Sequence, residues 1–205
     1  LLSLDADGDG DLDLVVTRAA HDLLLINDGS GRFQRAPAGA LSDASAPLTA
    51  IASGDLDGDG DVDLIYGVSL HSPIVLENRG GSFRWSLGIL PSFVWGTPAS
   101  LAVGDVDGDG DLDIVAGYES TRNRLYLNRG NGFFVDATTN LPPDQDDTTG
   151  VVLGDFDGDG DLDLFCANSW SSSTNSAQDR LYRNDGHGVF TDVTSSALPI
   201  DMHAA

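Results

Sequence analysis

Short apolar runs recur along the chain, and each of them follows an acidic segment. The runs are "LVV" (14–16), "LIYG" (64–67), "IVAG" (114–117) and "LFCA" (164–167). Because they are rich in β-branched and aromatic residues, they favour β-strands. Further strands can be drawn on both sides of each run. In the second unit the pattern predicts four strands, at 49–56, 63–69, 73–78 and 82–88.

The pattern repeats every 50 residues, a period in the range of propellers and other repeat arrays. Each unit also carries an Asn/Gly-rich turn before an aromatic residue, namely "NDGSGRF" (27–33), "NRGGSF" (78–83), "NRGNGFF" (128–134) and "NDGHGVF" (184–190). Four short antiparallel strands repeated radially form a β-propeller blade. We therefore predict an all-β fold, a β-propeller of four-stranded antiparallel blades.

The predicted repeats span residues 1–48, 49–98, 99–148 and 149–199 of a single domain. The segment 200–205 has two interpretations. It begins a further blade of a larger propeller, or it closes the ring by completing the first blade. Both ends of the chain stop at the same phase of the repeat, which favours the larger propeller.

An acidic nonapeptide precedes each apolar run: "DADGDGDLD" at 5, "DLDGDGDVD" at 55, "DVDGDGDLD" at 105 and "DFDGDGDLD" at 155. Two carboxylates about 6 Å apart repel by ~0.7 kcal/mol even in water. The chain has 10 Lys+Arg against 33 Asp+Glu, and none of the ten lies within these loops. We therefore expect the balancing cation to come from solution.

Calcium is the cation that this pattern favours. It accepts several oxygen ligands in flexible geometry, whereas magnesium keeps its waters and zinc or copper prefers His or Cys. In each loop we assign side-chain ligands to positions 1, 3, 5 and 9 and a backbone carbonyl to position 7. The glycines at positions 4 and 6, which are Gly8 and Gly10 in the first loop, allow the sharp turn. The predicted ligands of the four sites are Asp5, Asp7, Asp9, Asp11 and Asp13; Asp55, Asp57, Asp59, Asp61 and Asp63; Asp105, Asp107, Asp109, Asp111 and Asp113; and Asp155, Asp157, Asp159, Asp161 and Asp163.

An EF-hand does not fit these loops. It needs a bidentate Glu at position 12 and a helix on each side. Position 12 is Val16, Tyr66, Ala116 or Cys166, and the flanking segments have strand composition. A solvated acidic linker would not keep five aspartates in register four times.

The net charge of −23 argues against a nucleic acid or an anionic membrane surface as the partner, and no apolar run is long enough to insert into a membrane. The single cysteine, Cys166, allows no disulfide within the chain and suits a buried strand position. Weak calcium sites need millimolar calcium. We therefore expect an extracellular location, either secreted or on the cell surface, with the periplasm as an alternative.

No catalytic constellation is evident, so we predict that the chain is not an enzyme. The four histidines, His21, His71, His187 and His203, lie in predicted loops without ligand spacing, and no G-x-S-x-G elbow occurs. The loop aspartates could be imagined as the acid and base of a glycosidase, but metal binding already explains them.

A ligand surface is predicted on the face opposite the aspartate loops. In a four-stranded blade the aspartate loops and the Asn-Gly turns share one face, and the irregular connections lie on the other. The candidate contacts are Trp170, Trp95, Phe93 and Tyr118, which suit a glycan or protein ligand. For Trp95 and Phe93, packing between neighbouring blades is the favoured alternative, since large aromatic residues are mostly buried. Trp170 lies in an insertion that the other repeats lack.

The loop D-x-D-G-D-G-D-x-D before an apolar strand, with the later N-x-G turn and aromatic residue, resembles the FG-GAP/VCBS repeat family, which includes integrin-alpha-like propellers and many bacterial surface proteins. The Phe-Gly and Gly-Ala-Pro signature of the integrin version does not occur as such in this chain. The segments "VAGYES" and "IYGVSL" only approximate it. The resemblance implies calcium-binding blades and an extracellular role in recognition or adhesion. Two alternatives stay open: a structural spacer or assembly module of a large surface protein, and the non-catalytic propeller of a polysaccharide-degrading enzyme.

Overall fold

The structure, a computed structural model, consists of four antiparallel β-sheets with four strands each. It describes residues 1–18, 21–42, 47–86, 90, 96–169 and 178–199. In every sheet the strands follow one another in chain order from the first to the fourth. We call the sheets blades 1 to 4. The all-β fold with four-stranded antiparallel blades, predicted from the sequence, is confirmed.

The first two blades contain strands β1 (Leu2–Leu4), β2 (Asp13–Val16), β3 (Leu23–Asn27), β4 (Phe33–Arg35), β5 (Leu48–Gly54), β6 (Asp63–Val68), β7 (Ile74–Asn78) and β8 (Phe83–Trp85). The last two contain β9 (Thr97–Gly104), β10 (Asp113–Glu119), β11 (Arg124–Asn128), β12 (Phe134–Asp136), β13 (Asp147–Gly154), β14 (Asp163–Ser169), β15 (Arg180–Asn184) and β16 (Phe190–Asp192). All four strands predicted for the second unit are present, and their ends differ from the prediction by at most three residues.

The first strands of neighbouring blades lie side by side, so β1, β5, β9 and β13 form the inner edge of the array. The second strand of each blade lies one position further out, and in the two middle blades it is covered on both faces. In β6 every residue is buried, as are the first six residues of β10. A strand that is enclosed on both faces reads as a continuous apolar run, which explains why "LIYG" and "IVAG" show no alternation.

Three apolar clusters fill the spaces between consecutive blades. The first joins blades 1 and 2 around Leu4 and Tyr66, the second joins blades 2 and 3 around Leu56 and Tyr126, and the third joins blades 3 and 4 around Val106. Among the described residues, no apolar cluster joins blade 4 to blade 1. The hydrophobic core is therefore a series of interfaces between blades.

Two short helices follow the fourth strands of the last two blades. Residues Thr138–Asn140 form a single 3₁₀ turn after β12, and Thr194–Ala197 form one α-helical turn after β16. Among the described residues, no helix has the length and apolar character that crossing a membrane would require.

Candidate metal centre

The aspartate loops connect the first and second strands of each blade and share one backbone conformation. In loop 1 the two glycines, Gly8 and Gly10, have φ angles of 79° and 93°. Only glycine adopts such angles at little cost, which confirms the sharp turn predicted for them. The equivalent glycines in loops 2, 3 and 4 all lie between 75° and 97°.

The aspartate at position 1 holds this turn in place. In loop 1 the backbone N–H groups of Gly8 and Gly10 donate to the two carboxylate oxygens of Asp5, each at 2.9 Å. Both bonds recur in the other three loops at 2.7–3.1 Å. The position 1 carboxylate therefore faces the interior of its own loop.

The aspartate at position 9 is buried and ties the loop to the Asn-Gly turn of the same blade. In blade 3, Asp113 accepts hydrogen bonds from the backbone N–H of Val106 at 2.8 Å and of Asn128 at 2.8 Å. The same two bonds form in the other three blades. The loops and the Asn-Gly turns therefore lie on one face, as predicted.

Three carboxylates of each loop converge on a common point. One oxygen from each of positions 1, 3 and 9 lies within 4.8 Å of the others, in the trios Asp5, Asp7 and Asp13; Asp55, Asp57 and Asp63; Asp105, Asp107 and Asp113; and Asp155, Asp157 and Asp163. The structure thus brings together three of the four predicted side-chain ligands of each site.

The fourth predicted side-chain ligand, at position 5, lies outside these trios. In loop 1 the carboxylate of Asp9 accepts a hydrogen bond from the backbone N–H of Asp11 at 2.9 Å, and the same bond recurs in the other loops. A carboxylate oxygen has two lone pairs, so this bond leaves acceptor capacity for a cation. The ligand roles of position 5 and of the position 7 carbonyl stay predictions.

Burial and mutual repulsion raise the pKa of five of the twelve converging carboxyl groups. Burial raises the pKa of Asp63 to about 6 and that of Asp113 to about 7. Burial, followed by repulsion from the neighbouring position 5 aspartate, also raises the pKa of Asp7, Asp57 and Asp107. Concentrated negative charge of this kind favours a bound cation.

One buried carboxylate oxygen in loop 3 bears on whether the site fits a cation. Oδ1 of Asp107 is buried and has no hydrogen-bond partner of normal geometry. A carboxylate oxygen without a partner is costly inside a protein, because its desolvation is not offset. A cation held among Asp105, Asp107 and Asp113 would satisfy it, so the residues present fit a metal ion with oxygen ligands.

Two arginines outside the loops reach the position 3 aspartates. Nη1 of Arg129 lies 3.1 Å from Oδ2 of Asp107, and Nε of Arg183 lies 2.6 Å from Oδ2 of Asp157. In blade 2 the residue equivalent to Arg183 is Glu77, which raises the pKa of Asp57 by repulsion. The expectation that the chain offers the loops no cation is therefore wrong for loops 3 and 4, because the hairpin of β11–β12 and strand β15 bring arginines to them.

The asparagine of the Asn-Gly turn in blades 2, 3 and 4 has a role that the sequence did not reveal. The turn was predicted only as a hairpin, but Nδ2 of Asn128 donates to the carbonyl of Leu56 in the preceding blade at 2.8 Å. Asn78 bonds Ala6 and Asn184 bonds Val106 in the same way, at 2.8 and 2.7 Å. The only available signal was the recurrence of Asn at this position in all four repeats.

Of the four predicted ligand contacts on the opposite face, only Tyr118 lies within the described residues. Tyr118 is fully buried in the interface of blades 2 and 3, so its proposed role as an exposed contact is wrong. Its strand lies between two neighbouring blades, and its ring packs into that apolar cluster. Trp170, Trp95 and Phe93 lie outside the described residues.

Comparison with known proteins supports the repeat assignment. The family model described as FG-GAP-like repeat matches residues 5–66, 55–116, 105–166 and 155–205. A search of curated proteins found no match.

The similarity of this chain to solved structures concerns the fold alone, because the sequence identities are low. The chain resembles BBS1N, solved in complex with ARL6DN and soaked with lead, with a TM-score of 0.57 and 15% identity over 93% of this chain and 55% of that one. It also matches the V. cholerae biofilm matrix protein Bap1, with a TM-score of 0.38 and 18% identity over 91% of this chain and 28% of that one. The chain thus spans about half the length of the first structure and less of the second. Given its four matched repeats and four-stranded blades, the chain belongs to the FG-GAP-like repeat family.

Proposed function

We propose that this chain is a calcium-binding β-propeller module that acts in recognition or adhesion outside the cytosol. The observation that carries the metal part is the convergence of three aspartate oxygens within 4.8 Å in each of four equivalent loops. Chance clusters of exposed acids would not recur in register with the same backbone bonds. The buried Oδ1 of Asp107 provides further support, since it has no hydrogen-bond partner of normal geometry and a cation would satisfy it.

The donor chemistry favours calcium over other cations. All three converging groups are carboxylates, and the four trios contain neither His nor Cys, the ligands that zinc and copper prefer. The loops turn through glycines rather than through a rigid framework, which suits the flexible coordination of calcium better than the strict octahedron of magnesium. When bound, the ion would neutralise the repulsion among the carboxylates of its loop.

Calorimetric titration of the chelator-treated chain tests the metal proposal. We expect several calcium ions to bind per chain, with dissociation constants of about 10⁻⁴–10⁻³ M or tighter, and magnesium to bind more weakly. Asp107→Asn should weaken one site and leave the others. The matched control is Asp185→Asn, which changes an exposed aspartate in the Asn-Gly turn of blade 4 that belongs to none of the trios. If calcium produced no binding signal, or if Asp185→Asn had the same effect as Asp107→Asn, the proposal would be wrong.

The recognition part rests on the division of the blade into two faces. The aspartate loops and Asn-Gly turns occupy one face, so a ligand has the opposite face and its irregular connections available. We propose a glycan or protein ligand there, with Trp170 as the first candidate contact, because an indole among short polar residues suits stacking on a sugar or insertion into a partner's pocket. A net charge of −23 disfavours a nucleic acid or an anionic membrane as this partner.

A glycan array in millimolar calcium tests this recognition role. For any glycan that is captured, Trp170→Ala should weaken binding, while calcium binding and melting stay nearly unchanged. Phe133→Ala is the matched control, since Phe133 is an exposed aromatic residue in the Asn-Gly turn of blade 3, on the metal side. If Trp170→Ala unfolds the domain or leaves glycan binding intact, Trp170 is not the contact. If the array captures no glycan, the glycan part of the proposal is wrong.

A further inference from the structure

The side-chain amide of Asn128 is bonded to two aspartate loops at once. Its Nδ2 donates to the carbonyl of Leu56, at position 2 of loop 2, at 2.8 Å. It also donates to the carbonyl of Leu112, at position 8 of loop 3, at 3.2 Å. Its Oδ1 accepts a backbone N–H of its own turn at 3.1 Å, which fixes the orientation of the amide. Asn78 and Asn184 make the same three contacts, so each spans the loop of its own blade and the loop of the preceding blade.

The backbone of Asn128 holds a predicted metal ligand of its own blade. Its N–H donates to Oδ1 of Asp113, at position 9 of loop 3, at 2.8 Å. On the other side, the N–H of Leu56 donates to Oδ2 of Asp63, at position 9 of loop 2, at 3.0 Å. Three hydrogen bonds thus join the position 9 carboxylate of one loop to that of the next, through Leu56 and Asn128.

The same path recurs between blades 1 and 2 and between blades 3 and 4, with bond lengths of 2.7–2.9 Å. The members are, in order, Asp13, Ala6, Asn78 and Asp63 for the first path, and Asp113, Val106, Asn184 and Asp163 for the second. Every residue of the three paths is buried. Because water does not reach these groups, it cannot replace a bond that is lost.

The turn that contains the asparagine also packs against the position 3 aspartate of the preceding blade. A Cβ on Gly81 would lie 3.3 Å from Cβ of Asp7, and one on Gly188 would lie 3.3 Å from Cβ of Asp107. Both aspartates belong to converging trios, and each follows the position 2 residue whose carbonyl the asparagine bonds. The Asn-Gly turn of the following blade therefore contacts a metal loop at two successive positions.

The chemistry of asparagine suits this place between two loops. Its amide supplies two N–H donors, enough for one carbonyl in each loop, and an acceptor for the turn. An aspartate would place a carboxylate against two carbonyl oxygens, and an alanine would leave both carbonyls without that donor. A side chain of this length with two donors can therefore hold both loops together.

We propose that Asn78, Asn128 and Asn184 are positioning residues for the metal sites, and that each serves one site in its own blade and one in the preceding blade. This assignment rests on the calcium binding proposed above. The carboxylates of a loop repel one another, so a fixed backbone at position 2 and a fixed carboxylate at position 9 help to keep them within reach of one ion. Groups that orient metal ligands raise affinity, because less order has to be gained on binding.

Calcium titration of the whole chain, followed by two-dimensional amide NMR, tests this assignment because it resolves the four loops. The N–H of the position 6 glycine donates to the position 1 aspartate and reports its own loop; these glycines are Gly10, Gly60, Gly110 and Gly160. In Asn128→Ala we expect the dissociation constant to rise by about tenfold at loops 2 and 3 and by less than about twofold at loops 1 and 4. In Asn184→Ala the rise should appear at loops 3 and 4 instead.

The matched control is Thr49→Val, which removes another hydrogen bond between blades 2 and 3. Oγ1 of Thr49 donates to the carbonyl of Pro98, and Thr49 lies near the start of β5, at the end of the strand remote from loop 2. This substitution should leave all four dissociation constants unchanged. Asn128→Ser keeps one donor and should give the pattern of Asn128→Ala with a smaller rise. The serine variant takes the place of the alanine variant if the latter does not fold.

Three results would overturn the positioning role while leaving calcium binding in place. The first is a set of dissociation constants in Asn128→Ala that matches the parent. The second is a rise of the same size at all four loops, as a general loss of stability would produce. The third is an equal rise after Thr49→Val. If calcium shifts none of the four glycine signals of the parent chain, calcium binding itself is absent and the positioning role falls with it.

Discussion

Nε of Arg183 lies 2.6 Å from Oδ2 of Asp157, at the third position of loop 4. In loop 3, Arg129 contacts the corresponding Asp107, whereas in blade 2 the residue equivalent to Arg183 is Glu77. Four loops with the same aspartate pattern thus differ in the charge beside them. We expect their calcium affinities to differ accordingly, because an arginine competes with the ion for the carboxylate and a glutamate supports the ion.

Replacing Arg183 should tighten calcium binding at loop 4. The substitution Arg183→Leu copies the residue at the same position in blade 3, Leu127, and removes the competing charge. Because the arginine is half exposed, we expect a gain of up to about fivefold in affinity, measured by calorimetry. The control Arg32→Leu changes an exposed arginine in the Asn-Gly turn of blade 1. Weaker calcium binding after Arg183→Leu would contradict this interpretation.

Replacing Glu77 should have the opposite effect at loop 2. Glu77 accepts hydrogen bonds from Ser86 at 2.6 Å and from Arg79 at 2.8 Å, and these bonds and the charge of Arg79 lower its pKa. Glu77→Leu removes a negative charge near Asp57 and frees Arg79 to approach it. We expect calcium affinity at one site to fall by up to about fivefold. An unchanged titration would show that Glu77 does not act on the site.

The asparagine that links neighbouring blades should contribute measurably to stability. Asn128 is buried and donates to Leu56 and to Leu112, so Asn128→Ala leaves two carbonyls without that donor. We expect a loss of about 1–3 kcal/mol in the free energy of unfolding. The matched control is Asn27→Ala, since Asn27 is only half buried and makes no bond to a second blade among the described residues. Equal losses in chemical denaturation would contradict a role for the cross-blade bond.

Removal of calcium should lower the melting temperature. A site at about 100 times its dissociation constant adds ~2.7 kcal/mol when only the folded chain binds. Asp57→Ala and Asp107→Ala should each reproduce part of this loss in calcium. In excess chelator the parent also holds no ion, so the substitution removes only a carboxylate that repels its neighbours. Either variant should then melt no lower than the parent. If chelator leaves the melting temperature unchanged, the loops do not couple metal binding to folding.

The fold and the three converging aspartates could be predicted because their determinants are local. Glycine conformations, β-branched runs and the spacing of the loop aspartates all lie within one repeat, and the structure reproduces them. The 50-residue period also predicts that successive blades pack in the same way, since equivalent residues meet equivalent neighbours.

The remaining features depend on contacts between distant segments. The bond from Asn128 to Leu56 joins two blades, and Arg183 reaches Asp157 from a strand that follows an insertion. The exposure of Tyr118 was also misjudged, because a residue near a strand end can face solvent or the next blade with the same local sequence. Only the packing of blades 2 and 3 decides that Tyr118 is buried.

A crystal structure of the chain grown in millimolar calcium tests the account most directly. We expect one ion in each of the four loops, with oxygen distances of about 2.3–2.6 Å to the carboxylates at positions 1, 3, 5 and 9 and to the carbonyl at position 7. In loop 3 the buried Oδ1 of Asp107 should contact the ion. Loops that hold no ion under these conditions, or ions held mainly by histidine or water, would contradict the calcium-binding function proposed for this chain.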